Sequence, residues 1–368
     1  MTKLALLQSL LEDAARLNGD APWDIQVHDE RLASRVLSGG SLALGEAYMD
    51  GWWDCMELDQ LIFRVLRADL QNRIRSWKVL PRLLYAALIG RGRRYRAFEV
   101  GERHYDLGND LYEAMLDPRM VYSCGYWEDA TTLEQAQLAK LDLICRKLRL
   151  KPGMRLLDIG CGWGGLAIHA AQAYGVSAVG LTVSKEQLAL AKERGKGLPV
   201  EFRLQDYRDL RESFDAVASV GMFEHVGPRF YRTFFKVVHR CLPEDGLFLL
   251  HTIGGNSTAL TGDPWIEKHI FPNGLIPSIA QISAALEGLF VVEDWCNFGA
   301  DYDPTLMAWH RNFEAHWDRL KSRYDERFHR KWRYYLLSCA GSFRARYNNL
   351  WQIVLTKHGR VGGYEPLH

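Results

Sequence analysis

The hydrophobic pattern of the second half of the chain alternates short apolar runs with amphipathic segments. The apolar runs have the length of strands, and the segments between them repeat apolar residues three and four positions apart. This alternation predicts an α/β fold, a doubly wound, mainly parallel sheet with helices on both faces. The predicted strands are 155–159, 176–181, 200–204, 214–220, 246–250, 290–292 and 351–355, and the predicted helices are 132–148, 166–174, 185–194 and 230–241.

The first 72 residues lack this alternation and predict a small, mainly α-helical domain. Large apolar side chains between 41 and 53 lie close to glycines, which we interpret as a core-packing helix that ends at a glycine, not as a catalytic segment. The chain has 368 residues, enough for two domains. The predicted helices of this domain are 4–17, 30–37, 41–53 and 57–70, around one short strand at 24–27.

A basic segment, residues 73–98, follows this domain. The segment contains eight lysines and arginines, of which seven flank the apolar run 79–89 and one, Arg82, lies within it, and the segment contains no acid. Two interpretations stay open: a surface that lies on an anionic membrane, where each basic side chain contributes about 1 kcal/mol, or a solvated linker. The predicted organisation is therefore a mainly α-helical N-terminal domain at 1–72, a basic apolar linker at 73–98 and an α/β domain at 99–368.

Composition and charge exclude several classes of partner. Lysine plus arginine total 46 against 45 acids, so the net charge gives no case for nucleic acid. Seven scattered cysteines without a C-x-x-C pair predict neither a disulfide framework nor a metal site, and they favour a reducing compartment.

Acids at 12 and 13 interrupt the N-terminal apolar patch, so we expect no secretory signal. No uncharged run reaches the roughly 18 residues of a membrane span, so any membrane association should be peripheral.

A glycine-rich loop follows the first strand of the predicted sheet. The strand ends in Asp158, and Gly160, Gly162 and Gly164 follow before the next helix. Glycine lets backbone approach a ligand closely, and a helix N-terminus favours a negative group. Nucleotides and S-adenosylmethionine both fit such a loop, and an ordinary strand-to-helix turn is the alternative. A dinucleotide site also needs an acid at the tip of the second strand, and none stands there, which weakens the dinucleotide interpretation. An acid just before G-x-G-x-G resembles the first motif of the class I S-adenosylmethionine-dependent methyltransferases.

Polar residues directly after the predicted strands mark a ligand crevice, because ligands of such sheets bind at the carboxyl ends of the strands. Thr182 and Gln187 are placed to hydrogen-bond a ribose, whereas a helix cap at Ser184 would explain only part of that turn. Gln205 and Asp206 are placed for an adenine edge, with a simple turn as the alternative. We expect the acid that precedes the glycine loop to hold that loop, or a water near the ligand's amino group.

Two further strand ends carry candidate acid–base residues. Glu224 follows the fourth strand and faces the predicted crevice, although it could also cap the next helix. His251 ends the fifth strand, where a functional histidine and a satisfied core histidine are both consistent with the sequence.

Long motifs spread along the chain resemble one enzyme family. They read GEAYMDGWW at 45–53, HYDLGND at 104–110, YSCGYW at 122–127, GMFEHVG at 221–227 and FGADY at 298–302. With the glycine loop, they resemble the cyclopropane fatty acyl phospholipid synthases, within the class I S-adenosylmethionine-dependent methyltransferases. The likeness covers nearly the whole chain. It implies a Rossmann-like, doubly wound sheet of seven strands with a small, mainly α N-terminal domain.

The resemblance implies transfer of a methylene from S-adenosylmethionine to the cis double bond of an acyl chain in a bilayer phospholipid. The carbocation formed must lose a proton from its new methyl group before the cyclopropane ring closes, and a bound bicarbonate is the implied base. The positions that match the bicarbonate site are Glu224, His251 and Tyr302, with backbone at Cys124 and Ile253. The predicted cofactor-binding residues are Tyr122, Ser123, Asp158, Gly160, Gly162, Trp163, Gly164, Thr182, Gln187, Gln205 and Asp206.

The resemblance also implies a homodimer in the cytoplasm that binds peripherally to the inner face of the membrane. On this interpretation residues 1–72 form a lipid-docking domain, and residues 99–368 form the S-adenosylmethionine-dependent catalytic domain. Two other functions stay open. One is a related methyltransferase that makes a methyl-branched or methylene lipid, or methylates an amine of a small molecule. The other is a membrane-bound S-adenosylmethionine sensor without catalysis. The presence of Glu224 and Tyr302 favours catalysis over the sensor.

Overall fold

The computed structural model describes residues 2–11, 13–68 and 108–367, which form two compact units. The first unit contains the described residues up to 68 together with Leu260–Pro272 and Tyr302–Asn348. The second contains 108–259, Asn273–Asp301 and the described residues from Asn349 onward. The predicted linker at 73–98 lies outside the described residues, and the domain boundaries drawn at its two ends stay a prediction.

In chain order, the helices are α1 (Lys3–Leu11), α2 (Leu32–Met49), α3 (Leu58–Arg67), α4 (Asn109–Met115), α5 (Leu133–Lys147), α6 (Gly165–Tyr174), α7 (Lys185–Arg194), α8 (Tyr231–Cys241), α9 (Pro264–His269), α10 (Ile279–Leu286), α11 (Tyr302–Ala315), α12 (Trp317–Leu320) and α13 (Glu326–Arg344). The strands are β1 (Gln26–Val27), β2 (Trp53–Asp54), β3 (Arg155–Ile159), β4 (Ser177–Thr182), β5 (Val200–Leu204), β6 (Ala216–Val220), β7 (Leu247–Gly255), β8 (Val291–Asn297) and β9 (Asn348–Thr356).

The first unit is mainly helical, as predicted, and its short strands β1 and β2 pair antiparallel. The two helices predicted at 30–37 and 41–53 are joined as α2, which is interrupted only at Gly40, where φ is 60°. The predicted packing role of the second of these segments is confirmed, because Tyr48 and Trp53 are buried. However, α2 ends at Met49, and Trp53 lies in β2 instead of in the helix.

The second unit is built on a seven-stranded sheet with the order β5-β4-β3-β6-β7-β9-β8. Strands β3 to β7 are parallel to their neighbours within this group, and β8 is antiparallel to β9. The chain proceeds from β3 outward to β5, then returns to add β6 and β7 on the other side. The winding direction therefore reverses between β3 and β6, and a ligand crevice is expected at their carboxyl ends. The predicted doubly wound sheet is confirmed.

The core of the second unit lies on both faces of this sheet. Leu157 of β3 and Val217 of β6 belong to one apolar cluster, whereas their neighbours Leu156 and Ala218 belong to another. Successive strand side chains point to opposite faces, so a strand buried on both sides needs a continuous apolar run. This requirement explains why these strands show no polar alternation. Within the described part of the chain, no helix is both long and apolar enough to cross a membrane.

Candidate active site

A cavity of about 190 Å³ lies in the second unit, at the carboxyl ends of β3, β4, β5 and β6. Ten of the eleven residues predicted to bind the cofactor line it, and Gly164 does not. The ten are Tyr122, Ser123, Asp158, Gly160, Gly162, Trp163, Thr182, Gln187, Gln205 and Asp206. Residues predicted from separate stretches of sequence are thus brought to a single concave surface.

The three glycines of the loop are required for different reasons. Gly160 has a φ of 85°, and a Cβ there would lie 2.7 Å from the Cβ and Cγ atoms of Met222. Gly162 has a φ of 54°, with no atom within 4 Å of a Cβ, so its backbone faces open space. Gly164 is left-handed at the start of α6, and a Cβ there would meet the ring of Phe202 at 2.5 Å. Gly162 therefore leaves its backbone open to a ligand, whereas Gly160 allows close packing against Met222 and Gly164 allows helix–sheet packing.

Asp158 is a buried carboxylate on the cavity wall. Its Oδ1 atom has no hydrogen-bond partner among the described residues. Burial raises the pKa of Asp158 to about 7, and the nearby Lys140 opposes this rise. A buried, unpaired carboxylate is costly in the free protein, so it fits a ligand that brings a cation, such as the ammonium of S-adenosylmethionine.

We expect the affinity for S-adenosylhomocysteine to increase as the pH rises through about 7, where the buried carboxyl group of Asp158 ionises and attracts the ligand's ammonium. The stability of the ligand-free protein should change in the opposite direction. Because the pKa of Asp158 in the folded protein lies above the ordinary value of 3.8, the free energy of unfolding should fall as the pH rises from 3.8 toward 7. Calorimetric titrations at a series of pH values measure the first effect. Asp158→Asn should bind weakly at every pH, and an unchanged pH profile in this variant would contradict the assignment.

Thr182 and Gln187 contact each other on the cavity wall. Thr182 Oγ1 donates to Gln187 Oε1 at 2.9 Å, and Ser184 Oγ accepts from the Gln187 N–H at 3.2 Å and caps α7. The helix cap considered as the alternative is therefore present, and it coexists with a side chain that faces the cavity. Asp206 similarly accepts from the backbone N–H and Nε of Arg208, at 2.9 Å each, while it lines the cavity.

A second group of buried polar atoms does not line this cavity. It lies after the carboxyl end of β6 and on β7. Glu224 Oε1 accepts from the Ile253 N–H at 2.6 Å. Its Oε2 atom is buried and lacks a hydrogen-bond partner in the part of the chain that the structure describes. Burial raises the pKa of Glu224, while hydrogen bonds from backbone N–H groups and from Thr252 oppose the rise. The carboxyl group is therefore held in place by one oxygen, and the other is available to a ligand.

His251 is fully buried on β7, two residues before Ile253. Its Nδ1 atom lies 3.3 Å from Nε2 of Gln352 on the adjacent strand β9, and its own Nε2 has no partner among the described residues. Burial holds the pKa of His251 well below its usual value, and the positive charges of Lys140 and Lys147 add to this. The imidazole is consequently neutral at physiological pH, with one ring nitrogen available to a ligand.

Cys124 is buried, and its thiol donates to the carbonyl of Gly125 at 3.1 Å. The loop that carries it is held by Asp301, which accepts from the Trp127 N–H at 2.8 Å. From this loop, Tyr126 contacts Phe298 at 5.5 Å between ring centroids, and Phe298 contacts the ring of His251 at 5.8 Å. A short series of aromatic contacts thus joins the loop of Cys124 to the buried imidazole.

Tyr302 belongs to the first unit, unlike the other predicted acid–base residues. It is the first residue of α11, and its ring packs against Phe343 at 4.4 Å and Trp309 at 6.0 Å. The next residue, Asp303, accepts from Arg344 Nε at 2.8 Å. Within its own unit, the tyrosine is therefore tightly packed at the start of a helix.

Two buried polar residues near these sites were missed by the sequence reasoning. Lys140 lines the cavity, and Gln352 contacts His251. Each interrupts an apolar pattern: Lys140 occupies a core-facing position of α5, and Gln352 lies inside the apolar run 350–355. Such interruptions are the signal by which both could have been found, because buried polar residues need partners. No group of three or more His, Cys, Asp or Glu side chains in the described ranges is arranged to hold a metal ion.

Known proteins similar to this chain agree with the predicted family. The family model described as mycolic acid cyclopropane synthetase matches residues 93–353. The cyclopropane-fatty-acyl-phospholipid synthase of Escherichia coli K12 is 56% identical over 342 residues, which cover 93% of this chain and 90% of that protein. Cyclopropane mycolic acid synthase 2 of Mycobacterium leprae is 37% identical over 288 residues, which cover 70% of this chain and 94% of that protein.

Solved structures show the same relationship. A cyclopropane synthase from Mycobacterium tuberculosis aligns with a TM-score of 0.67 and 35% identity, over 71% of this chain and 98% of its own. A mycolic acid cyclopropane synthase complexed with S-adenosylhomocysteine and CTAB gives the same values. Coclaurine N-methyltransferase, at 21% identity and a TM-score of 0.69, shares the fold over 85% of this chain. The chain therefore belongs to the mycolic acid cyclopropane synthetase family, and it is an S-adenosylmethionine-dependent methyltransferase with the class I fold.

Proposed function

We propose that this enzyme transfers a methylene from S-adenosylmethionine to the cis double bond of an unsaturated acyl chain in a phospholipid and forms a cyclopropane ring. The 56% identity to a cyclopropane-fatty-acyl-phospholipid synthase supports this substrate class. The observation on which the proposal depends most is that two buried atoms, Glu224 Oε2 and His251 Nε2, have no hydrogen-bond partner in the described residues.

The cavity at the glycine loop holds the cofactor in this proposal. S-adenosylmethionine supplies an electrophilic methyl group on its sulfonium. Asp158 faces the ammonium of the ligand, and the exposed backbone at Gly162 lets its amino-acid end approach closely. Thr182 and Gln187 bind the ribose, and Gln205 and Asp206, at the carboxyl end of β5, bind the adenine. Tyr122, Ser123 and Trp163 form the remaining predicted contacts.

The buried carboxyl and imidazole groups serve the later proton transfer. An alkene is a weak nucleophile, and methyl transfer to it leaves a carbocation that must lose a proton before the ring closes. Bicarbonate would supply the base for this step. It is small, and it has both a donor and acceptors, which suits the unpaired atoms of Glu224 and His251.

Residues around this pair have supporting roles in the proposal. The Ile253 N–H is already used by Glu224, so we assign it to orienting the carboxyl group instead of to binding the anion directly. Cys124 contributes backbone from the loop joined to His251 through Phe298, because a reaction with an activated sulfonium needs no thiol nucleophile. The proposed role of Tyr302 as a donor rests on the family resemblance alone.

We further propose that the N-terminal domain and the basic segment 73–98 dock a homodimer on the anionic inner face of the membrane. The segment has eight basic side chains and no acid, and seven of the eight flank a short apolar run. Such a composition favours electrostatic attraction to anionic headgroups together with shallow apolar insertion. Docking of this kind gives the enzyme access to acyl chains within a bilayer.

Incubation of the purified enzyme with S-adenosylmethionine and liposomes of a cis-unsaturated phospholipid tests the proposal. Mass spectrometry of the acyl chains should show a gain of one CH₂ that resists mild hydrogenation, since a ring has replaced the alkene. A gain of CH₂ that still hydrogenates would mean a methylene product and a different fate of the carbocation. Bound cofactor with no gain would indicate a small-molecule methyltransferase or a sensor.

A further inference from the structure

Lys140 is a buried cation in the cofactor cavity to which the reaction described above gives no role. It lies on α5, is 0% exposed and lines the cavity. Its Nζ atom donates to Ser123 Oγ at 2.9 Å, the one hydrogen bond that this ammonium makes within the described residues. Burying an ammonium costs several kcal/mol unless other groups compensate it, so a lysine at this position needs an explanation.

The hydrogen bond between Lys140 and Ser123 fixes the direction of the serine proton. An ammonium has donors and no acceptor, so Ser123 Oγ must accept, and its own O–H must point elsewhere. Gln137 Nε2 donates to the backbone carbonyl of Ser123 at 2.8 Å, which holds the residue in place from the other side. The hydroxyl is therefore held as a donor on a cavity wall, where an anionic ligand group would accept from it.

The cavity lining carries a positive group, the Lys140 ammonium, and a negative group, the Asp158 carboxylate. Burial lowers the pKa of Lys140 to about 8, which leaves the ammonium mostly protonated at neutral pH. Of the two nearby acids, Asp117 is satisfied by the backbone N–H groups of Val121 and Arg119, at 3.0 and 3.1 Å. Asp158 keeps an unpaired oxygen. The cavity thus offers a cationic donor pair and an anionic acceptor, which complement the carboxylate and ammonium of an α-amino acid.

We propose that Lys140 is a positioning residue: it turns the Ser123 hydroxyl toward the carboxylate of the cofactor's methionine moiety and makes tight binding depend on that carboxylate. The proposal rests on the cofactor occupying the glycine-loop cavity, as in the proposed function. It adds a preference for adenosyl ligands that carry this carboxylate over those that lack it, which the acid–base residues do not provide.

The test compares two ligands that differ only in this carboxylate, S-adenosylmethionine and decarboxylated S-adenosylmethionine, by calorimetry without lipid. Lys140→Met should weaken binding of S-adenosylmethionine by roughly 10- to 100-fold, the usual worth of a hydrogen bond to a charged group, and leave the decarboxylated ligand unaffected. Lys147→Met is the matched control, because Lys147 lies on the same helix, is also 0% exposed and pairs with Asp294 at 3.1 Å outside the cavity lining. It should leave both affinities unchanged.

An equal loss for both ligands in Lys140→Met would overturn the proposal, because a merely structural lysine affects them alike. Should that variant fail to fold, Ser123→Ala removes only the hydroxyl and should show the same loss, confined to the ligand with the carboxylate. Equal affinities of the wild-type enzyme for the two ligands would also overturn it. Absence of any cofactor binding by the wild-type enzyme would instead reject the cofactor site of the proposed function, so the two failures are distinguishable.

Discussion

Glu224→Gln is expected to lower turnover by roughly 10²- to 10⁴-fold, the range that general acid–base groups contribute, and to leave the affinity for S-adenosylhomocysteine unchanged. The substitution is nearly isosteric, and the amide oxygen can still accept from the Ile253 N–H, so the local backbone should be preserved. What is lost is the ionisable oxygen that faces the proposed anion. The cofactor cavity is not lined by Glu224, which is why binding should survive.

Ring formation measured by mass spectrometry and ligand affinity measured by calorimetry separate these two effects. Glu134→Gln provides the control, because the Glu134 side chain is 57% exposed and should affect neither quantity. Full turnover in Glu224→Gln would refute the proposed role of this carboxylate in proton removal. A parallel loss of cofactor affinity would show that the change acts on the fold, and it would remove the support for an acid–base role.

Gly160→Ala is expected to destabilise the protein and abolish tight cofactor binding. Its φ of 85° costs an L-residue about 1–2 kcal/mol, and its new methyl group would lie 2.7 Å from the stem of Met222. Because Met222 also lines the cavity, its displacement should reshape the binding surface. We expect the affinity for S-adenosylhomocysteine to fall by more than about tenfold, the result of losing about 1.4 kcal/mol.

Gly153→Ala isolates the backbone contribution of that change. Gly153 has the same φ of 85°, and no atom lies within 4 Å of a Cβ built there. This variant should therefore lose only the conformational part of the free energy of unfolding, about 1–2 kcal/mol, and keep its cofactor affinity. Denaturant unfolding and calorimetry measure both quantities. Equal effects of the two substitutions would show that the contact with Met222 does not matter.

The agreement between sequence and structure is closest where the information is local. The strand–helix alternation, the left-handed glycines at 160, 162 and 164, and the cap at Ser184 each depend on a few neighbouring residues. The parallel sheet then follows, because its connections and strand ends are constrained by simple topological rules. These rules predict the cavity-lining residues that follow the strand ends, whereas Tyr122 and Ser123 lie in a motif before the sheet that the rules do not reach.

Which segments of the chain make up the first unit could not be predicted from local patterns. Segments near 265 and 340 belong to it because of specific long-range contacts. A Cβ at Gly45 would lie 2.4 Å from the Trp265 ring, so the two segments fit only with glycine at this position. Arg344 binds Asp59 of α3 at 2.6 Å and Asp303 of α11 at 2.8 Å. No local pattern predicts such partners, which are 41 residues apart for Asp303 and Arg344 and 285 apart for Asp59 and Arg344.

The sequence alone determined the elements of this protein, its glycine loop and its family, because periodicity, backbone conformation and motif spacing are properties of short stretches. Only the tertiary structure decided which polar groups are buried and unpaired, and therefore their charge. Asp158, Lys140 and His251 have perturbed pKa values because the packed chain removes water from them. Desolvation depends on every element packed around a group, so it cannot be read from the residues next to that group in sequence.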